Sequence, residues 1–245
     1  MTYCIGIKLR AGLVALSDTR VTSGNETTTA EKYKIYQKGN QKIFLMTSGL
    51  RSVRDKTLTY FSEVLSEKLD DFEKLYQVVN ALGEQIKRVA KEDKSTLMDS
   101  GLDFNINTIV GGQLSGDKEH KLYLLYPQGN WIEIGKGSPF TIIGNSGYGT
   151  PVLRRTLNYE SSVRFALKTS FLSFDSTRVS SNDVGFPIDV MVYLKDSHEI
   201  KIKRFYEKDM TAISNFWGEK LTQAIKEVPE DWMDSILGNE IEKQK

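Results

Sequence analysis

The chain has 245 residues, of which 33 are Lys or Arg and 32 are Asp or Glu, giving a formal net charge of +1. This length can bury one substantial core, while the near-neutral balance offers no field for nucleic acid or an acidic membrane. A single cysteine excludes an internal disulfide, and the apolar stretches are too short for a transmembrane helix. No secretion signal precedes the first strand. We therefore expect a cytoplasmic protein with one domain over residues 1–245, ending in a helix and a polar tail.

The first predicted strand begins directly behind a threonine at position two. Because threonine is small, removal of Met1 would make Thr2 the N-terminal residue. An N-terminal threonine carries a hydroxyl nucleophile and an α-amine with a pKa of about 8, so one residue supplies both an attacking oxygen and a proton acceptor. Thr2 is therefore the candidate nucleophile.

The second predicted strand starts at Gly12 and ends at Asp18. It can pair with the first strand as a hairpin, which brings the start of one strand beside the end of the other. Thr2 and Asp18 should then be neighbours. Lys34 follows in the next apolar segment, and a lysine held by the aspartate could relay protons or favour an alkoxide.

The remaining elements alternate between pairs of helices and runs of strands. Two amphipathic helices are predicted after the Ser48-Gly49 turn, followed by four strands, two helices, two strands and a closing helix from Asp209 to Val228. This order indicates an α+β protein in which sheets pack together and are covered by helices.

Motifs along the chain resemble the active-site framework of proteasome β-subunits, which are N-terminal-nucleophile hydrolases. The motifs are Thr2, Ser17-Asp18-Thr19-Arg20-Val21-Thr22, Lys34-Ile35-Tyr36, Thr47-Ser48-Gly49-Leu50, Val110-Gly111-Gly112, Gly144-Asn145-Ser146-Gly147 and Asp175-Ser176-Thr177-Arg178 with Ser180 to Asp189. The opening residues and the Ser-Phe-Asp-Ser-Thr-Arg segment are most similar to Anbu, the bacterial branch of this superfamily. The resemblance spans roughly residues 2–217 and implies a four-layer αββα sandwich.

Further site residues follow from position and from the resemblance. Gly49 stands between a strand and a helix, where its backbone N–H can approach a substrate carbonyl, so it is the candidate oxyanion-hole donor; an ordinary turn glycine is the alternative. By resemblance, Ser146 and Asp175 hold the amine and hydroxyl of the threonine. Ser180 or Ser181 should supply a second supporting hydroxyl, and the sequence does not decide between them.

Other residues have supporting roles or none. Arg20 and Thr22 are expected to orient the substrate backbone and Asp18. The glycine-rich segment 144–150 lacks the Gly-Lys-Ser/Thr ending of a phosphate loop, and the two histidines, His120 and His198, have no partner ligands at metal-site spacing. We expect neither a cofactor nor a metal.

Two functions of different classes fit these observations. The first is a threonine hydrolase that cleaves peptide or isopeptide bonds through an acyl-enzyme on Thr2. The second is a noncatalytic assembly subunit with the same fold. In both cases the resemblance implies self-association into a large ring-like or helical homo-oligomer, and Phe216, Trp217, Trp232 and Ile236 offer apolar surface for it. An enclosed assembly would admit peptides or unfolded proteins, with no nucleic-acid or membrane partner.

Overall fold

A computed structural model describes residues 2–23, 26–39, 41–68 and 71–237. The chain forms two compact units that divide after Glu207. The prediction of one domain over the whole chain stays a prediction. Its polar tail, residues 239–245, lies outside the described residues. Within the described ranges no helix combines the length and apolarity needed to cross a membrane.

The strands and helices follow the predicted order. The strands are β1 Tyr3–Leu9, β2 Gly12–Asp18, β3 Arg20–Ser23, β4 Glu26–Thr29, β5 Tyr33–Lys38, β6 Gln41–Gly49, β7 Ile106–Gly112, β8 Lys121–Leu125, β9 Trp131–Glu133, β10 Phe140–Gly144, β11 Ile188–Leu194 and β12 Ile200–Phe205. The helices are α1 Arg51–Lys68, α2 Leu75–Asp99, α3 Thr150–Thr156, α4 Val163–Arg178, α5 Glu207–Lys226 and α6 Asp234–Leu237, and a 3-10 turn at Asp231–Met233 precedes α6.

Two five-stranded sheets form the centre of the first unit. One has the strand order β10-β1-β2-β11-β12 and the other the order β5-β6-β7-β8-β9, and neighbouring strands in both sheets are antiparallel. The predicted hairpin of β1 and β2 is confirmed, with Cys4 opposite Ser17 and Leu9 opposite Gly12. β3 and β4 form a separate two-stranded ribbon.

The two sheets face each other and helices cover the outer side of each sheet. Apolar side chains of both sheets, among them Cys4, Ala15, Phe44 and Ile109, form the core between the sheets. α1 and α2 pack on β6, β7 and β8, while α4 packs on β1 and β2. This arrangement confirms the four-layer αββα sandwich.

β1 and β2 are buried along their whole length because both of their faces are covered. That position explains their nearly continuous apolar sequence, which differs from the alternating pattern of a strand with one wet face. The pairing of β1 with β2 also fixes the position of the candidate site. The residue before β1 and the last residue of β2 lie at the same end of the central hairpin, so the fold holds Thr2 and Asp18 side by side.

The second unit consists of most of α5, the 3-10 turn and α6. None of the residues of α5 is buried. Its apolar stripe is exposed, with Phe216 at 58% and Ile225 at 72% of their maximal accessibility, and Trp232 beyond the helix is 62% exposed. This unit therefore carries exposed apolar side chains along α5 and beyond it.

Candidate active site

Thr2 precedes β1 and is half-buried. Its carbonyl oxygen accepts a hydrogen bond of 2.7 Å from the backbone N–H of Asn145, directly after β10. Gly144 packs against that carbonyl with a φ of +86°, and a Cβ added at this position would overlap the Thr2 carbonyl. Only glycine satisfies both conditions. The end of β10 therefore fixes the backbone of Thr2.

Asp18 is hydrogen-bonded to the backbone of Tyr3, the residue after Thr2. The backbone N–H of Tyr3 donates a 2.8 Å hydrogen bond to Asp18 Oδ1, and the carboxylate is fully buried. The Tyr3 hydroxyl in turn donates to Ser173 Oγ of α4 at 2.6 Å. Strand β1 thus connects Thr2 to β2 on one side and to the covering helix on the other.

The lysine bound to Asp18 is Lys32, and the prediction of Lys34 as this partner is wrong. Lys32 Nζ lies 2.6 Å from Asp18 Oδ1, and its side chain is 3% exposed. Lys34 is an exposed residue of β5, paired with Leu45. The reason is local: Lys32 precedes the strand, and its carbonyl accepts a 3.0 Å hydrogen bond from the Thr47 N–H, which lets its side chain reach inward.

Burial raises the pKa of the Asp18 carboxyl above its ordinary value. The Lys32 ammonium and the backbone N–H groups of Tyr3 and Gly185 act in the opposite direction by stabilising the carboxylate. The buried Lys32 ammonium thus binds the same carboxylate oxygen that accepts the N–H of Tyr3, the residue after Thr2. Such a cation lowers the cost of forming a nearby alkoxide.

Cys4 is a further nucleophilic side chain close to this ion pair. It is completely buried, and burial raises the pKa of its thiol well above the ordinary range in spite of the Lys32 charge. A thiolate is the reactive form of cysteine. Cys4 is therefore a small core residue, and Thr2 remains the candidate nucleophile of this region.

Gly49 is the last residue of β6 and has a φ of +121°. A Cβ at this position would overlap the carbonyl of Asn105, so the backbone requires glycine here. β6 also carries Thr47, whose N–H holds the carbonyl of Lys32. The candidate oxyanion-hole donor and the backbone support of the lysine thus lie two residues apart on one strand.

Ser146 is exposed and follows Asn145, the residue bound to the Thr2 carbonyl. Its own carbonyl accepts a 3.2 Å hydrogen bond from the N–H of Thr150 at the start of α3. The turn that carries Ser146 is therefore fixed at both ends, by the threonine and by the helix.

Asp175 lies inside α4 and is buried. It pairs with Arg178, whose Nη2 and Nε lie 2.8 and 3.2 Å from Asp175 Oδ1. The Arg178 guanidinium also lies 5.5 Å from the centre of the Phe186 ring. Arg178 belongs to the Asp175-Ser176-Thr177-Arg178 motif but had no predicted role, although a carboxylate and an arginine three residues apart on a helix are a common pair.

Ser180 and Ser181 follow the end of α4. The Ser180 hydroxyl donates to the carbonyl of Ser176 at 2.9 Å, and Ser180 is exposed. The Ser181 carbonyl accepts a 3.3 Å hydrogen bond from the Val184 N–H. These bonds form the turn after the helix, and the supporting role of either hydroxyl stays a prediction.

Arg20 and Thr22 belong to β3 and are separate from the ion pair. Arg20 Nη1 donates to the carbonyl of Asn182 at 2.9 Å, and its guanidinium packs on the backbone of Gly185, where a side chain would not fit. Thr22 is exposed and pairs with Thr27. Arg20 thus connects β3 to the turn after α4, and the substrate-orienting roles of both residues stay predictions.

The chain matches the proteasome subunit family over residues 2–190. That match covers most of the chain, including Thr2, Asp18 and Lys32 and all of the strands from β1 to β10. The chain therefore belongs to the proteasome subunit family.

Solved structures place it within the Anbu branch of that family. An Anbu mutant from Hyphomicrobium sp. strain MC1 is 30% identical with a TM-score of 0.86, covering 94% of this chain and 99% of that one. Anbu, the ancestral beta-subunit, from Yersinia bercovieri is 30% identical with a TM-score of 0.85, covering 93% and 98%. The helical assembly of the Anbu complex from Pseudomonas aeruginosa is 28% identical with a TM-score of 0.84, covering 93% and 97%. No curated protein sequence matches the chain.

Proposed function

We propose that the protein is an N-terminal threonine hydrolase that cleaves peptide or isopeptide bonds through an acyl-enzyme on Thr2. The observation that carries this proposal is the buried ion pair of Lys32 and Asp18. Its carboxylate accepts a hydrogen bond from the backbone N–H of Tyr3, the residue after Thr2. A buried charge pair is costly to form and is weak evidence for stability. Its place beside Thr2 gives it a chemical use.

The reaction starts when removal of Met1 frees the α-amine of Thr2. The amine accepts the hydroxyl proton, and the Lys32 ammonium stabilises the alkoxide character that develops on Oγ1. The oxygen attacks the substrate carbonyl, whose oxyanion receives a hydrogen bond from the Gly49 N–H. The proton passes to the leaving amine, and water then hydrolyses the ester to release the acid and restore the threonine.

Ser146 and Asp175 support the threonine in this proposal, with Ser180 or Ser181 as a second hydroxyl. Arg20 and Thr22 position the substrate backbone. The reaction needs no metal or cofactor, since the nucleophile, base and oxyanion donor all come from the chain itself.

The N-terminal amine provides a direct test of this mechanism. An N-terminal fusion that blocks processing should be folded but inactive, because the amine is then part of a peptide bond and cannot accept a proton. We expect peptide hydrolysis to appear only after a protease exposes Thr2, as measured by release of a fluorogenic amine. Equal turnover by the verified uncleaved fusion would contradict the role of the free amine.

We further propose that the chain assembles into a large homo-oligomer. The relative from Pseudomonas aeruginosa is described as a helical assembly, and the second unit of this chain carries an exposed apolar stripe that a second copy can cover. An assembly of this kind would enclose the threonines and restrict substrates to peptides and unfolded proteins.

Light scattering at micromolar concentration should therefore report a species of many subunits. Phe216 is exposed at 58% and Trp232 at 62%, so replacing both by serine should shrink this species without unfolding the first unit. A strictly monomeric wild-type protein would contradict the assembly while leaving a small hydrolase possible.

A further inference from the structure

A cavity of about 210 Å³ adjoins the proposed active site. Lys32, the partner of Asp18, and Thr47, the residue that holds the Lys32 carbonyl, both line it. The cavity therefore lies next to the buried ion pair, with Lys32 belonging to both. A substrate whose carbonyl lies near Lys32 can place a neighbouring side chain in it.

The wall of this cavity combines an aliphatic part with a charged part. Leu45 and Leu58 supply the aliphatic part, while Lys34, Arg51 and Arg54 supply cations. A side chain that fits both parts has an aliphatic stem and a polar or charged end.

The two acids of the lining are already engaged. Asp55 accepts hydrogen bonds from Arg54 at 2.7 and 2.8 Å and lies 3.4 Å from Arg51. Glu31 lies 3.6 Å from Arg204, which is outside the lining. Neither carboxylate is left alone to receive a basic substrate side chain.

Lys34 differs from the other cations of the lining. Across residues 2–23, 26–39, 41–68 and 71–237, no carboxylate lies within ion-pair distance of its ammonium. Its neighbours Arg51 and Arg54 share one aspartate, so the lining without Lys32 holds three cations and two anions. The uncompensated charge of the cavity is positive.

We infer that this cavity selects peptide substrates with an acidic side chain, with glutamate preferred, and that Lys34 is its specificity-determining residue. The leucines contact the methylene groups of the glutamate, and the carboxylate pairs with the Lys34 ammonium at the open end. This inference deepens the proposed function and rests on it only for the peptide nature of the ligand. It also gives a role to Lys34, which the structure excludes as the partner of Asp18.

The test is a binding measurement that does not need turnover. Two fluorescent tetrapeptides, blocked at both ends and differing only in one glutamate or glutamine, are titrated against the full-length protein carrying Thr2→Ala. We expect the glutamate peptide to bind about two- to fivefold more tightly, the range of a partly exposed ion pair. This preference should shrink in 0.5 M salt, since exposed charges are screened.

Lys34→Glu in the same background should remove or invert the preference. Lys201→Glu is the matched control, because Lys201 is also an exposed lysine on an edge strand, β12, but lies outside the cavity lining. Equal binding of the two peptides, binding of neither, or an equal effect of both substitutions would overturn the inference. If the protein prefers the glutamate peptide in binding but the wild type hydrolyses neither peptide, the proposed hydrolase activity is contradicted. The inference about the cavity is not.

Discussion

Replacing Lys32 by methionine should both destabilise the protein and abolish hydrolysis. The substitution keeps an unbranched aliphatic stem but leaves the Asp18 carboxylate buried without its cation. Breaking a buried pair from one side costs about 3–5 kcal/mol, and loss of the charge that stabilises the alkoxide costs on the order of a hundredfold to a thousandfold in rate. Denaturant unfolding and peptide turnover measure the two effects. Lys34→Met should change the free energy of unfolding by only about 0.5 kcal/mol or less, because Lys34 is exposed.

A double variant separates the chemical role of the lysine from its structural role. Adding Asp18→Asn to Lys32→Met removes the unpaired charge, and the asparagine oxygen can still accept the Tyr3 N–H bond. We expect this double variant to recover part of the lost stability while hydrolysis stays absent. Recovery of turnover together with stability would mean that the ion pair serves only to fold the protein.

Gly144→Ala should damage both the stability of the protein and the reactivity of Thr2. The alanine Cβ would overlap the carbonyl of Thr2, and the φ of +86° is unfavourable for any residue with a side chain. Backbone strain of this kind costs about 1–3 kcal/mol, and displacement of a nucleophile by about 1 Å costs on the order of a hundredfold in rate. Thermal unfolding and covalent labelling of Thr2 should both record the change.

Gly147→Ala is the matched control for this substitution. It lies in the same turn, and nothing lies within 4 Å of the Cβ that would be added. We expect a stability change of about 0.5 kcal/mol or less and normal labelling. Equal damage from both substitutions would show that the turn as a whole, and not the contact of Gly144 with Thr2, is sensitive.

The sequence predicted the central hairpin because its pairing is local. β1 and β2 are joined by a two-residue turn, so the neighbourhood of Thr2 and Asp18 follows from chain order alone. The prediction of Lys34 as the partner of Asp18 is wrong because the sequence does not show where β5 begins. Two lysines lie close together there, one before the strand and one within it. Lys32 precedes β5 and turns inward, whereas Lys34 is held by the strand pairing with Leu45.

Residues near the end of α4 show a second limit. The helix α4 extends to Arg178, which places the Arg178 side chain one turn from Asp175 and lets the two pair. A sequence pattern locates helix ends only to within a few residues, so it does not decide whether Arg178 is on the helix. The cavity beside Lys32 could not be predicted from the sequence either, because its lining comes from β5, β6 and α1 together.

The most direct test of the account is the intact mass of the purified protein before and after treatment with a peptide epoxyketone. This reagent forms a ring with both the hydroxyl and the amine of an N-terminal threonine. We predict a chain without Met1 that gains one adduct, mapped to Thr2, and a Thr2→Ala variant that folds normally and gains none. A chain that keeps Met1, or a Thr2→Ala variant labelled to the same extent, would contradict it.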